Sequence, residues 1–99
     1  MLIIGEKLSI IAKRVRDAMM KKDKGPIQEI AISQWKDGAG MIDANIGPAE
    51  DGGEDLMQWM VTTIQEVVPL PVCLDTTNAK EIEAGLKVHN NQWGKPLIN

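Results

Sequence analysis

The stretch VCLDTTN, residues 72–78, is an apolar, β-forming run that ends on a carboxylate and leads into a turn. Three other short apolar runs also end in polar side chains: Leu2-Ile3-Ile4-Gly5-Glu6, Met41-Ile42-Asp43-Ala44-Asn45 and Leu97-Ile98-Asn99. Patterns typical of helices fill the intervals. Apolar strands that alternate with helices predict an α/β fold with a parallel sheet, and such sheets bind ligands at the carboxyl ends of their strands.

Four strands are predicted, with helices between them in the order βα(α)βαβαβ. The strands are placed at residues 2–6, 41–45, 72–75 and 96–99. Helices are predicted to begin near Lys13, Pro26, Glu54 and Asn78, because apolar side chains recur at helical spacing after each of these residues. Asn78 with Glu81 three residues later is typical of a capping box.

Composition narrows the class of protein. The 99 residues allow at most one domain, residues 1–99, with 43% hydrophobic and 25% charged residues. The formal net charge of −3 provides no general attraction for nucleic acid or an anionic membrane. A single cysteine, no apolar stretch long enough to span a bilayer, and no signal peptide predict a cytoplasmic protein. No spacing typical of a metal site occurs, so no metal is expected on the chain.

The polar side chains at the predicted strand ends are the candidate site. Since the carboxyl ends of parallel strands meet at one edge of a sheet, we expect them to converge. The residues of this candidate site are Glu6, Asp43, Asn45, Asp75 and Asn99. A carboxylate such as Asp75 can accept two parallel N–H bonds from an amidine-like edge, for example that of a 2-amino-4-oxo-pyrimidine. Asparagine amides supply a donor and an acceptor against the same kind of ring.

Structural roles for the same residues are left open by the local pattern. Asp75 can instead accept N–H bonds from the turn at residues 76–78, and the pair Asp43 and Asn45 can instead hold the next loop. Glu6 can pair with a neighbouring cation. His89 is placed in the last turn of a helix, where a cation complements the helix dipole, and Cys73 is expected to be a small core residue.

Several segments resemble the methyltetrahydrofolate:corrinoid/iron-sulfur protein methyltransferases, relatives of the folate domain of cobalamin-dependent methionine synthase and of dihydropteroate synthase. The segments that carry the resemblance are LIIGEK at 2–7, IDANIGPA at 42–49, WMVTTIQEVV at 59–68, CLDTTNAKEIEAGLK at 73–87 and PLIN at 96–99. The block from Cys73 to Lys87 is the most specific. The resemblance implies that the chain is the N-terminal half, with four βα-type strands, of a pterin-binding (β/α)8 TIM barrel.

The implied activity is transfer of the N5 methyl group of 5-methyltetrahydrofolate to the cobalt of a corrinoid (cobalamin) on a partner protein. The resemblance implies that Asp75 and Asn99 hydrogen-bond the pterin and that Asp43 and Asn45 line the same pocket. Glu6 is a further pocket candidate, as is Ser9, which stands where the family usually carries an asparagine. No catalytic residue is assigned, and no metal is expected on this chain.

A complete barrel needs about 250 residues, so the sequence predicts a partial pterin-binding domain that is inactive alone. We expect a fragment, a truncated gene product, or a homo-oligomer that restores closure, because four strands leave two exposed edges. Two alternatives remain at this point. One is another pterin-barrel enzyme such as a dihydropteroate synthase, although no basic, glycine-rich loop for a diphosphate occurs. The other is a non-catalytic α/β fragment whose polar strand ends only cap loops.

Overall fold

A computed structural model describes residues 3–49 and 51–99 of the protein, with the side chains of residues 3–10 outside that description. Within these residues, four α-helices, three strands and a short 3-10 helix follow one another along the chain. Their bounds are α1 Ile3–Lys21, α2 Lys24–Lys36, β1 Ile42–Ala44, α3 Gly53–Gln65, β2 Val72–Leu74, α4 Ala79–Val88, the 3-10 helix Asn91–Trp93, and β3 Leu97–Ile98. The chain is therefore an α/β protein.

The strands form one parallel sheet in the order β1-β2-β3. The register pairs Ile42 with Val72, Asp43 with Cys73, Ala44 with Leu74, Cys73 with Leu97, and Leu74 with Ile98. Three of the four predicted strands are thus present at their predicted places, each shorter than predicted. Helices separate β1 from β2 and β2 from β3, as parallel connections require.

The first predicted strand is wrong. Residues 3–6 belong to α1, which runs from Ile3 to Lys21, and residue 2 lies outside the described part of the chain. A short apolar run cannot be assigned to a strand or a helix from its periodicity alone. Here it continues in a longer pattern with helical spacing, Ile4-Leu8-Ile11-Val15, and that pattern extends the predicted first helix by ten residues toward the N-terminus.

The other helix starts agree with the sequence signals to within two residues. Helix α2 begins at Lys24, two residues before Pro26, because the side chain of Asp23 caps it by accepting from the Gly25 N–H at 3.2 Å. Helix α4 follows Asn78, whose Oδ1 accepts from the backbone N–H groups of its second and third residues at 2.9 and 3.2 Å. None of the helices in residues 3–49 and 51–99 is long and apolar enough to cross a bilayer.

The core lies between one face of the sheet and the helices. Alternate strand residues that point to this face, such as Ala44, Val72 and Leu74, are completely buried. They pack in one cluster with α3 residues such as Met57 and Val61, which are also completely buried. The residues that alternate with these buried ones, such as Asp43 and Cys73, consequently lie on the opposite face of the sheet.

A glycine lets α4 approach this core closely. A Cβ atom on Gly85 would lie 3.0 Å from a methyl carbon of Leu74 and 3.1 Å from Cγ of Met57. These distances are shorter than ordinary carbon–carbon contacts, so the side chains of Leu74 and Met57 would have to shift to admit a larger residue. The position of α4 matters to the site, because the turn that connects it to β2 starts at Asp75.

A buried histidine closes the opposite, amino-terminal end of β2. His89 is 8% exposed, and its Nε2 accepts the backbone N–H of Val72 at 2.9 Å. Its Nδ1 lies 2.7 Å from Oδ1 of Asn91, so the hydrogen bonds are satisfied by a neutral ring that donates from Nδ1. Gln65 closes the same corner by donating to the carbonyl of Leu70 at 2.9 Å. The prediction that His89 serves as a cation at a helix end is wrong, since Nε2 is an acceptor.

Replacing His89 with leucine should destabilise the fold. The substitution supplies a side chain of similar size but leaves the buried N–H of Val72 without an acceptor, which typically costs about 1–3 kcal/mol. Urea unfolding followed by circular dichroism measures the loss, with Lys87→Gln, an exposed change two residues away in α4, as the control. Equal unfolding free energies for His89→Leu and the wild type would contradict the role given to this hydrogen bond.

Candidate functional site

A row of three polar residues crosses the carboxyl edge of the sheet. Beyond the last paired residues, the N–H of Asp75 donates to the carbonyl of Ala44 at 3.1 Å, and the N–H of Asn99 donates to the carbonyl of Leu74 at 3.2 Å. These bonds continue the parallel register by one residue on each strand. They place Asn45, Asp75 and Asn99 side by side on the face opposite the core, and we call these three residues the edge row.

A second row lies one pleat below the edge row, on the same face. The register aligns Asp43, Cys73 and Leu97, and we call these three residues the inner row. Cys73 is buried at 6% exposure between its two exposed neighbours. The face opposite the core therefore presents two carboxyl groups, two amides and one thiol within two adjacent rows.

The edge row is organised by the amide of Asn45. Its Nδ2 donates to Oδ2 of Asp75 at 3.2 Å, and its Oδ1 accepts the backbone N–H of Gly47 at 2.8 Å. Asn45 thus has the loop-holding role that its spacing suggested, and it also bridges to the neighbouring strand. Since the amide is fixed by the Gly47 contact, its N–H donors have a defined direction toward Asp75.

The turn after β2 is held by Thr76. The backbone N–H of Asn78 donates to Oγ1 of Thr76 at 3.1 Å, and that hydroxyl donates to Oε1 of Glu81 at 2.7 Å. The Asp75 carboxylate instead accepts from Asn45 across the strands. This geometry indicates that Asp75 faces the candidate site and does not cap its own turn.

The inner row places a carboxyl and a thiol in electrostatic contact. Burial raises the pKa of the Asp43 carboxyl, and the nearby charge of Asp75 raises it further, whereas a hydrogen bond from the Cys73 thiol acts in the opposite direction. Burial also raises the pKa of the Cys73 thiol, and the charge of Asp43 adds to that effect. Cys73 is thus the small buried residue expected from the sequence, and it lies beside Asp43 in the register of the sheet.

The remaining two pocket candidates, Glu6 and Ser9, stay predictions. Glu6 and Ser9 lie in α1, so neither stands at a strand end, and their side chains lie outside the described part of the structure.

A groove of about 740 Å³ occupies the side of β1 where the first strand was expected. Its lining is largely apolar and comes from α1, α2, α3 and β1, and it includes Asp43 and Asn45. The groove thus meets the rows at their β1 end.

Sequence reasoning missed the role of Glu81. The capping-box pattern predicts that its carboxylate accepts the N–H of Asn78, but that N–H bonds to Thr76, and Glu81 receives the threonine hydroxyl. A hydroxyl residue five positions before a glutamate is a weak signal, so the pattern alone could not have revealed this contact. The consequence is a second hydrogen-bonded layer directly behind Asp75.

The rows suit the edge of a planar polar ring. Asp75 is an acceptor flanked on one strand by Asn45 and on the other by Asn99, so an acceptor lies between two amides that can donate and accept. A heterocycle with adjacent N–H donors and ring acceptors is complementary to this order of groups. Among the described side chains, no three of His, Cys, Asp and Glu are grouped so that they could hold a metal ion.

Comparison with known proteins finds similarity to a methyltransferase and to two methionine synthases. The chain is 36% identical over 84 residues to the methylcorrinoid:tetrahydrofolate methyltransferase of Eubacterium limosum, an alignment that spans 85% of this chain and 31% of that enzyme. It is 30% identical to the methionine synthase of Mycobacterium tuberculosis over 87% of this chain and 7% of that enzyme. It is also 30% identical to the methionine synthase of Mycobacterium leprae, over 99% of this chain and 8% of that enzyme. The chain thus spans less than a third of the length of these relatives, and no family model matches it.

Substituting Asp43 with asparagine should stabilise the chain at pH 7 by removing a partly desolvated charge beside Asp75. An acid whose pKa is higher in the folded chain than in the unfolded chain binds more protons when the chain is folded. The free energy of unfolding therefore falls as the pH rises above 3.8, the ordinary pKa of an aspartate. The stability gain of Asp43→Asn should therefore disappear below that pH. Urea unfolding from pH 3 to 7 checks this, with the exposed change Asp17→Asn as control. A gain that does not depend on pH would contradict the explanation.

Proposed function

We propose that this chain is the N-terminal part of a pterin-binding (β/α)8-barrel methyltransferase, and that the edge row binds the pterin of methyltetrahydrofolate. The observation that carries the proposal is the alignment of Asn45, Asp75 and Asn99 at one sheet edge, in a chain 36% identical over 84 residues to a methylcorrinoid:tetrahydrofolate methyltransferase. The two observations are independent, because one is the arrangement of polar side chains in the site and the other is the sequence identity to a relative. Both support a pterin ligand.

In this proposal Asp75 accepts N–H bonds from the 2-amino-4-oxo-pyrimidine ring, and the amides of Asn45 and Asn99 bond to its remaining edge atoms. Asp43 forms the floor of the site with Cys73 from the inner row. Fixing the ring by its polar edge leaves the N5 methyl group directed away from the sheet. The contribution of this part of the enzyme is then orientation, which is a large component of catalysis when two reactants must meet.

The reaction is proposed to take place with a corrinoid on a partner protein. The bond between N5 and the methyl carbon breaks, the carbon bonds to cobalt, which rises from the +1 to the +3 state, and N5 takes up a proton. The named relative has the corrinoid as methyl donor, which is the reverse of this transfer. Both directions bring the same pterin and the same corrinoid together, and both require the same pterin orientation. We propose that the residues that assist N5 lie outside these 99, so that the chain alone is inactive.

Removing the Asp75 carboxylate should abolish most of the pterin affinity. Titrating the 99-residue chain with 5-methyltetrahydrofolate by calorimetry should show saturable binding, and Asp75→Ala should weaken it by about 10- to 100-fold, the value of a hydrogen bond to a charged group. Asp17→Ala, an exposed carboxylate on α1, is the matched control and should bind like the wild type. Absence of saturable binding at millimolar ligand, or equal binding by Asp75→Ala, would refute the proposed site.

Catalysis is tested separately by mixing the chain with methyltetrahydrofolate and a reduced corrinoid protein. The cobalt absorption spectrum should remain that of the unmethylated corrinoid, because positioning of the pterin is only one part of the reaction. Methylation of the corrinoid by this chain alone would refute the proposal that further residues are required.

A further inference from the structure

Glu81 is a buried carboxylate whose contacts lie behind the candidate site. It is 4% exposed, although it stands in the first turn of α4, where glutamate side chains usually extend into solvent. A buried carboxylate requires partners that compensate its lost hydration. Its two oxygens contact two different segments of the chain, namely the turn that follows Asp75 and the first residue of α3, which comes eight residues after Asn45.

The first contact is with the turn after β2. Oε1 of Glu81 accepts the hydroxyl of Thr76 at 2.7 Å, and the same hydroxyl oxygen accepts the backbone N–H of Asn78 at 3.1 Å. The hydroxyl therefore has a fixed direction, because its proton is given to Glu81 and its lone pair receives Asn78. Thr76 directly follows Asp75, so this bond restrains the backbone that carries the central residue of the edge row.

The second contact is with the beginning of α3. A Cβ atom on Gly53 would overlap Oε2 of Glu81 and would lie 3.2 Å from its Cγ, so the carboxylate rests on the first residue of that helix. The N-terminal turn of a helix carries a partial positive charge, which stabilises an anion placed there. Helix α3 ends the loop that begins at Asn45, so this contact restrains the other bonded member of the edge row.

We propose that Glu81 is a positioning residue for the candidate site: its carboxylate ties the turn after β2 to the start of α3 and so fixes the distance between Asp75 and Asn45. Glu81 itself does not touch the ligand. This inference rests on the proposed function for its ligand, but the contacts that it invokes are present in the chain without one. Gly53 has a matching role, since only a residue without a side chain leaves room for the carboxylate.

The test is a binding comparison between two glutamates of α4. Glu81→Gln keeps the size of the side chain but removes its charge, whereas Glu83→Gln makes the same change at an exposed position two residues away. We expect Glu81→Gln to weaken 5-methyltetrahydrofolate binding about tenfold and Glu83→Gln to leave it unchanged. In an Asp75→Ala background, the effect of Glu81→Gln on binding should be smaller, because the part of the coupling that acts through Asp75 is lost.

A second pair of variants separates positioning from simple loss of folding. Thr76→Ser retains the hydroxyl and should bind the pterin like the wild type, whereas Thr76→Val should reproduce the loss caused by Glu81→Gln. Unfolding free energies measured on the same samples allow affinities to be compared for the folded fraction. Equal affinity of wild type and Glu81→Gln, or an undiminished effect of Glu81→Gln without the Asp75 carboxylate, would overturn the inference.

A readout without ligand keeps this inference distinct from the proposed function. Backbone amide chemical shifts of residues 52–54 and 75–78 should move in Glu81→Gln and stay fixed in Glu83→Gln. Shifts confined to residues 79–83 would overturn the positioning role. If the wild-type chain does not bind the pterin but the predicted amides move, the proposed function fails and the positioning role of Glu81 is supported.

Discussion

The parallel register of β2 between β1 and β3 is the constraint on which the rest of the structure depends. Side chains alternate between the two faces of a strand, so pairing Leu74 with Ala44 directs both of these residues into the core. The same pairing brings Asp75 beside Asn45. A shift of one residue in β2 would bury the carboxylate of Asp75 and expose Leu74. The hydrophobic core and the polar rows therefore both disfavour such a shift in the strand register.

Much of this arrangement could be predicted from the sequence because the signals were local. Val72-Cys73-Leu74 is apolar and begins with a β-branched residue, and Pro69 and Pro71 prevent the preceding helix from continuing, so the position of β2 followed from residues close to it. Asn78 is a strong helix cap, and α4 begins immediately after it. The meeting of Asp75 with Asn45 followed from fold class, since parallel strands share one carboxyl edge.

The features that escaped prediction depend on contacts distant in sequence or on competing patterns. The run Ile3-Ile4 fits a strand by composition, but it continues into an apolar helical repeat that only a longer window reveals. His89 was placed correctly near a helix end, yet its partner, the N–H of Val72, is 17 residues away. The contact of Glu81 with Gly53 joins two helices, and no single-sequence pattern encodes that pair. Tertiary partners decide the roles of such polar residues.

The same parallel register has a consequence for the order in which the chain folds. Asn45 and Asp75 are 30 residues apart, and the strands that carry them cannot pair through a short hairpin. Closing loops of that length costs chain entropy before any strand contact compensates for it. Helices α3 and α4, which are close in sequence and packed on each other, provide the surface on which β2 can settle. We therefore expect the polar rows to form late, after the helical layer has ordered.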